Sequence, residues 1–247
     1  MTNMTNGFLQ NIKRAIGQLS AAATPHQDEE GPPRISFLGT TAMIFEAPGP
    51  FDLDHQRRIW ALADKAQNWP GVLEAVPGMT NLMILFDSPP KETGDLERAL
   101  IKGWRSGDEK KINGKVLDLP IIYGGEGGPH LREVAEFTGL SIDEVVKIHS
   151  APSYVVYSVG SHAGYCYLGG LDPRLFTQRR KVPLINLPGG SLSMAGMQTG
   201  VSASAGPSGW NTVGKADISF FDPAKSPPAL LGPGDIIRFQ VERVIYD

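Results

Sequence analysis

Four glycines, a glutamate and a histidine crowd the stretch YGGEGGPHL, Tyr123–Leu131, directly after the apolar run VLDLPIIY. Glycine lets a backbone take positive φ and approach a ligand closely, so a loop like this at a strand end either cradles a molecule or turns a corner. The stretch GWNTVGKA, Gly209–Ala216, approaches a phosphate-binding P-loop. It has Ala216 where a Ser or Thr would ligate magnesium, and the β-like DISFFD follows where a helix should start, so the phosphate loses its anchor. A hairpin is the expectation there. GGSLS, around Ser191, misses the nucleophile elbow because Ser193 takes the last glycine position, and it reads as a tight turn between strands. The histidines His26, His55, His130, His149 and His162 form no H-E-x-x-H or comparable ligand cluster, so no metal site is expected. Cys166, among Tyr165, Tyr167 and Leu168, reads as a small buried thiol. His149 closes a predicted helix just before a strand, a junction where sites are often built. The competing reading for it is a helix-capping histidine.

The elements that must position these residues fall into three parts: 1–33, 34–115 and 116–247. In the first, GFLQNIKRAIGQL sets Phe8, Leu9, Ile12, Ile16 and Leu19 at helical spacing, which predicts a short amphipathic helix followed by a polar linker. In the second, RISFLG and AMIFEA read as strands, DLDHQRRIWALADKAQNW as a helix with Asp52 or Asp54 as cap, VLEAVPG and NLMILFD as strands, and DLERALIKGWR as a helix. That ββαββα order predicts a small two-layer α/β unit on a mainly antiparallel sheet. In the third, PHLREVAEF reads as a helix with Pro129 in its first turn, and SIDEVVKIH as a second with a Ser141–Glu144 capping box. Short β-rich runs separated by turn clusters then continue to the end, the pattern of a sandwich or closed barrel. The fold class is therefore α+β, a small α/β domain joined to a β-barrel-like domain.

Bulk composition narrows the function classes. A chain of 247 residues, 41% hydrophobic and 20% charged, has enough interior to need no covalent staples. A net charge of −3, without a Lys/Arg stripe, argues against a nucleic-acid partner. The single cysteine cannot form an internal disulfide, which predicts a reducing, cytoplasmic setting. No apolar run approaches the roughly 20 residues that span a bilayer, so no membrane partner is expected.

The ordered series YGGEGGPHLREVA, GLSIDEVVKIHSAPSYVVYSVG, YLGGLDPRL, GMQTG and GPGDIIRF resembles the KipI family, also known as the first subunit of allophanate hydrolase or the B subunit of 5-oxoprolinase. The resemblance runs from Arg34 to the C-terminus and takes in PGVLEAVPG and FDPAKSPPALLGPGD. It implies a small α/β domain followed by a cyclophilin-like β-barrel. It also implies a sister protein of related barrel fold, KipA-like and known as allophanate hydrolase subunit 2 or the C subunit of 5-oxoprolinase. A third, LamB-like protein, the A subunit, completes the implied complex. Such a complex opens a small lactam at the expense of ATP, with ATP used by the complex and this chain alone inactive. Two alternatives come with the family: a carboxyltransferase component of a urea carboxylase or allophanate system, and an inhibitor of a histidine kinase.

Residue by residue, the resemblance implies a site. Tyr123, Gly124, Gly125, Glu126, Gly128 and Pro129 match the family's glycine loop, His149 its histidine, and Tyr167–Leu175 its YLGGLDPRL segment. Arg179 and Arg180 stand where an arginine pair is usual, Gln198, Thr199 and Gly200 match QTG, and Gly209 and Trp210 match a Gly-Trp turn. Glu126 and His149 are the implied proton-transfer groups. Arg179 or Arg180 would clamp a carboxylate or phosphoryl group, and Gln198 would orient an amide, with Thr199, Tyr167 and Gly125 completing the substrate set. The glycine loop is expected to join the last α/β strand to the barrel's helices, beside a site shared with the sister protein. The segment GSHAGYCYL departs from the pattern: Ser161 and Tyr165 replace phenylalanines and Ala163 a proline. Leu184 replaces an arginine, Ser202 a tyrosine and His130 an aspartate. These changes fall around the implied site, which makes a different substrate or a non-catalytic partner-binding role a further expectation.

Overall fold

The computed structural model describes residues 31–49 and 51–246. The helix predicted over Phe8–Leu19 lies outside the described residues. In chain order the first part contains β1 (Arg34–Leu38), β2 (Ala42–Glu46), α1 (Leu53–Ala66), β3 (Val72–Pro77), β4 (Asn81–Phe86) and α2 (Thr93–Arg105). This is the ββαββα order expected, and the strands pair antiparallel in the order β1-β2-β4-β3. Period-2 alternation sends Leu82, Ile84 and Phe86 of β4, with Met43 and Phe45 of β2, to one face. There they meet Ile59, Leu62, Ala63 and Ala66 of α1 and Leu100 and Trp104 of α2 in a single apolar cluster. Each large side chain buried this way contributes about 1.5–3 kcal/mol. Asp52 starts α1 by accepting a hydrogen bond from the His55 backbone N–H at 2.9 Å.

The remaining elements are β5 (Val116–Gly124), α3 (Leu131–Thr138), α4 (Ile142–Ser150), β6 (Ser153–Val159), β7 (Cys166–Gly169), β8 (Leu184–Leu187), β9 (Ser191–Ala195), β10 (Gln198–Val201), β11 (Gly206–Ser208), β12 (Asn211–Lys215) and β13 (Ile236–Ile245). Seven of these strands close a barrel in the order β10-β7-β6-β13-β5-β12-β9, with β9 returning to β10. Strands β8 and β11 form a separate two-stranded ribbon. A closed barrel leaves no edge to protect, which suits a segment made of many short strands. The capping box at Ser141 and Glu144 starts α4 as expected. The helix α3 begins only at Leu131, after Pro129, with His130 at its N-cap.

Three local expectations are corrected by strand pairing. VLDLPIIY is barrel strand β5, held parallel to β13 and antiparallel to β12, so the glycine loop leaves a barrel strand rather than the last α/β strand. The near-P-loop is no hairpin, because β12 pairs with β5 and β9, both distant in sequence. DISFFD carries no strand; it is held by an isolated bridge from Phe221 to Ala229 and by backbone hydrogen bonds to Pro228 and Leu230. In the first two cases the partner is non-local, and no turn signal in the sequence records it.

The α/β sheet unit and the barrel meet through α1 and β6. Trp60 Nε1 donates to the Tyr157 carbonyl at 2.9 Å, and Gln56 Nε2 donates to the same oxygen at 3.2 Å. The Phe51 ring lies 5.3 Å from that of Tyr157. These contacts bring Phe51, just before α1, over the barrel wall that carries the candidate site.

Candidate active site

Alternation along two neighbouring strands separates two sets of candidate residues. On β10 Thr199 faces the barrel interior, while Gln198 and Gly200 face outward. On β7, Cys166 and Leu168 are fully buried and Tyr167, paired with Gly200, lies on the outer side.

The inner set is a closed hydrogen-bonded chain. Tyr123 Oη lies 3.0 Å from His149 Nδ1, and His149 Nε2 lies 2.9 Å from Thr199 Oγ1. Thr199 Oγ1 itself donates to the Ser193 carbonyl at 3.0 Å. The threonine hydroxyl has one proton, and the carbonyl takes it, so Nε2 carries the imidazole hydrogen and Nδ1 accepts from Tyr123. The ring stacks on Phe239 at 5.1 Å, and burial pushes its pKa down to about 3. His149 is wholly buried, neutral and engaged at both nitrogens. Within this chain it meets no surface from which a substrate could approach. Burial likewise pushes the Cys166 thiol up to about 12, which leaves it an inert packing group.

The outer set lines a cleft of about 400 Å³ formed by Phe51, Phe176, Thr177, Gln178, Arg179, Ala195, Gly196, Met197 and Gln198. The structure thus brings Arg179 and Gln198 together in one concavity. One wall is Thr177, Gln178 and Arg179, in a segment outside the named strands that is pinned on both sides. Gly196 N–H donates to the Thr177 carbonyl at 2.6 Å, Asn211 Nδ2 to the Gln178 carbonyl at 2.9 Å, and Arg180 N–H to the Gly209 carbonyl at 2.8 Å. Upstream, Asp172 caps a 3-10 turn over Pro173–Leu175 and drops Leu175 into the core. The turn chemistry of LDPRL therefore sets where Arg179 emerges.

Behind Arg179 stands an aromatic wall. Its guanidinium lies 5.9 Å from the Trp210 ring, close enough for a cation–π contact. Trp210 packs edge-on against Tyr165 at 6.3 Å, and Tyr165 against Tyr167 at 4.7 Å. Tyr167 also meets Trp210 directly at 6.4 Å, so it backs the wall behind Arg179 and does not itself line the cleft. In the altered GSHAGYCYL segment, residues 161–163 are exposed while Tyr165 is buried in this wall.

The other implied residues lie apart. Arg180 is ion-paired with Glu133 of α3 at 2.6 Å, so its charge is already met by this chain. Gly125, at φ +57°, lines a second cleft of about 160 Å³ with Gly124, Gly128 and Arg132. The two clefts share no residue. Glu126 sits exposed in a 3-10 turn over Gly125–Gly127. The loop is built for tight approach: a side chain at Gly128 would meet the Val213 carbonyl oxygen at 2.3 Å. His130, in the same loop, accepts at Nδ1 from the Thr212 backbone N–H at 2.8 Å, and burial together with Arg180 lowers its pKa.

Two lining residues, Phe51 and Thr177, carry no signal in the sequence that marks them for a site. Phe51 is far from the barrel in sequence, and only the α1–β6 contact brings it near. Thr177 is two residues from Arg179, and its one distinguishing feature is three-dimensional: its side-chain oxygen is buried without a hydrogen-bond partner among the described residues. No group of three or more His, Cys, Asp or Glu side chains among the described residues is placed to hold a metal. The segment Gly209–Ala216, which an ATP-binding P-loop would need as a loop entering a helix, is largely strand β12.

Residues 33–231 match the family model of the carboxyltransferase domain, subdomain C and D. The chain is 40% identical over 206 residues to the B subunit of 5-oxoprolinase from Escherichia coli O157:H7, covering 83% of this chain and 94% of that protein. It is similar to the crystal structure of TTHA0988 with a TM-score of 0.67 and 30% identity, covering 83% of this chain. It spans only 40% of the TTHA0988 chain. The urea carboxylase of Kluyveromyces lactis superposes with a TM-score of 0.73 over 90% of this chain and 22% of that one, at 19% identity, which shows the fold alone.

Proposed function

The chain belongs to the family of the carboxyltransferase domain, subdomain C and D, and from that membership we propose that it is the B subunit of an ATP-dependent 5-oxoprolinase, a lactam hydrolase. Three curated relatives named as this same 5-oxoprolinase component support the class of complex. The observation that carries the assignment to a site is the meeting of Arg179 and Gln198 in one cleft. 5-Oxoproline is a carboxylate on a small lactam ring. A guanidinium offers the carboxylate a charge-assisted, bidentate partner. A glutamine amide offers both a donor and an acceptor, the pair that a lactam C=O and N–H require. Phe51, Phe176 and Met197 supply apolar walls for the ring methylenes.

The division of labour follows from the site's make-up. ATP is used by the complex, whose other members are a sister barrel protein, the C subunit of 5-oxoprolinase, and a LamB-like protein, its A subunit. The strand formed by the P-loop-like segment supports this reading. Glu126, exposed and outside the cleft, is the proton-transfer group this chain presents toward the partners' share of the site. His149 is a positioning residue. Through Thr199 it fixes β10 from inside, and Gln198 projects from the same strand outside. The isolated chain is therefore inactive.

The test is ATP-dependent glutamate release from 5-oxoproline by the three co-expressed proteins, with and without this chain. Release that requires the chain is the expected result. An assembled complex that releases none overturns the assignment. The family description favours a second reading, carboxyl transfer. Under it, a biotin carboxylase and a biotin carrier would co-purify with the chain, and carboxybiotin would discharge only in its presence.

A further inference from the structure

We infer that the segment Phe8–Leu19, which lies outside the described residues, docks as an amphipathic helix on the open face of the four-stranded sheet, opposite α1 and α2. Antiparallel sheets commonly turn one apolar face to a core and one polar face to water. This sheet carries apolar side chains on both. Register sets Ser36, Ile44, Met83 and Val76 in one cross-strand row, and Leu38, Ala42, Leu85 and Glu74 in the next. Both rows point away from Leu82, Ile84 and Phe86, the β4 residues that meet the helices. Leu38 is 49% exposed, and Ile44, Met83, Leu85 and Val76 are half-buried. None of these five belongs to the three apolar clusters of the described residues. An apolar patch to which all four strands contribute marks a contact surface.

The chain itself carries a fitting occupant. Phe8, Leu9, Ile12, Ile16 and Leu19 form one stripe of the predicted helix, with Lys13 and Arg14 on the other side. Such a helix is about 18 Å long, and strands of this length extend about 17–20 Å. With its side chains it is about 10–12 Å across, within the ~14 Å that four strands span. Residues 20–33 then lead directly to Arg34, the first residue of β1, whose Ser36 and Leu38 lie on the patch. That tether reaches at most about 50 Å and holds the helix near the sheet at an effective concentration on the order of millimolar. A second copy of the chain must come from bulk solution, so at micromolar protein the tethered segment takes the face. Charge agrees: no acidic residue precedes Asp28, while Glu46 and Glu74 stand on the sheet face. The family match starts at residue 33, so this cover is an addition to the matched domain.

Cysteine pairs in the full chain test the docking, with the native Cys166 buried. Ile16→Cys is combined with Leu38→Cys, Ile44→Cys or Met83→Cys. The control pair joins it to Phe137→Cys on α3, which is 58% exposed on the barrel unit. Under mild oxidation at least one sheet pair is expected to close a disulfide within a single chain, about tenfold faster than the control. A disulfide between two chains would make the occupant a second copy and overturn the inference. Sheet pairs no faster than the control would leave the tether undirected and overturn it too. The double variant Ile12→Asp, Ile16→Asp changes only the extension, so the two described cores can still form. It should lower Tm by about 4 °C or more, because the helix can no longer bury its stripe. An unchanged Tm overturns the docking.

Discussion

Of the two residues singled out for proton transfer, His149 ends up as a keystone of the barrel interior. A histidine whose pKa is depressed by burial is neutral in the fold but takes a proton once unfolded. Above about pH 6.5 neither state is charged and its contribution is flat. As pH falls from there toward the folded value of about 3, the unfolded state binds the extra proton and stability declines. The decline amounts to about 2 kcal/mol by pH 5. His130, also depressed by burial and by Arg180, adds to it in the same direction. Thermal melts from pH 8 to pH 5 should show a plateau and then a falling Tm. His149→Leu should remove part of the slope while lowering Tm throughout, because Tyr123 and Thr199 lose their partner. A wild-type Tm that holds steady to pH 5 would contradict the buried, neutral imidazole. Sequence pattern places His149 correctly at a helix end, but helical periodicity does not say whether that end points into a core or a cleft. Arg179 and Gln198 are legible as a pair only through resemblance. Their meeting depends on hydrogen bonds that tie the segment 177–180 to Gly196, Asn211 and Gly209, which no local pattern encodes.

At the scale of elements, local rules predict well where contacts are local and fail where they are not. The ββαββα order, the Asp52 cap and the Ser141–Glu144 box are all set within a few residues of chain, and all are readable from it. The pairing of β12 with β5 and β9 is not, which is why the near-P-loop reads as a hairpin and is none. The glycine loop after β5 shows how tightly these non-local pairings pack. Gly128 faces the Val213 carbonyl oxygen of β12 and the Gly124 nitrogen, and a Cβ would approach them to 2.3 and 2.6 Å. Both are backbone atoms that cannot swing aside. Gly128→Ala should therefore destabilise by about 2–3 kcal/mol or more, lowering Tm by roughly 5–10 °C. Gly139→Ala, at φ +71° with nothing within 4 Å, carries backbone strain alone and should lower Tm by less. Equal shifts in the two variants, read by calorimetry, would show that the loop relaxes away from β12.

Across the whole molecule, two apolar clusters, one under the sheet and one inside the barrel, are joined by a third at Trp60, Val155 and Tyr157. The cleft lies beside that joint, since Phe51 packs on Tyr157 and also lines the cleft. Coupling of the two units should thus shape substrate binding. Trp60→Ala removes the hydrogen bond to the Tyr157 carbonyl and most of the joint's apolar contact. It should broaden or split the calorimetric transition and raise KM for the substrate, with a smaller effect on kcat. A single sharp transition with unchanged KM would show that the joint is incidental to the site. No helix among the described residues is long and apolar enough to cross a membrane. The central claim is that the cleft of Arg179 and Gln198 holds the substrate, and a crystal structure of the assembled complex with 5-oxoproline tests it most directly. The expected result is the carboxylate on Arg179 and the lactam amide against Gln198. Ligand density in the glycine-loop cleft of Gly125 and Arg132, with the Arg179 cleft empty, would contradict it.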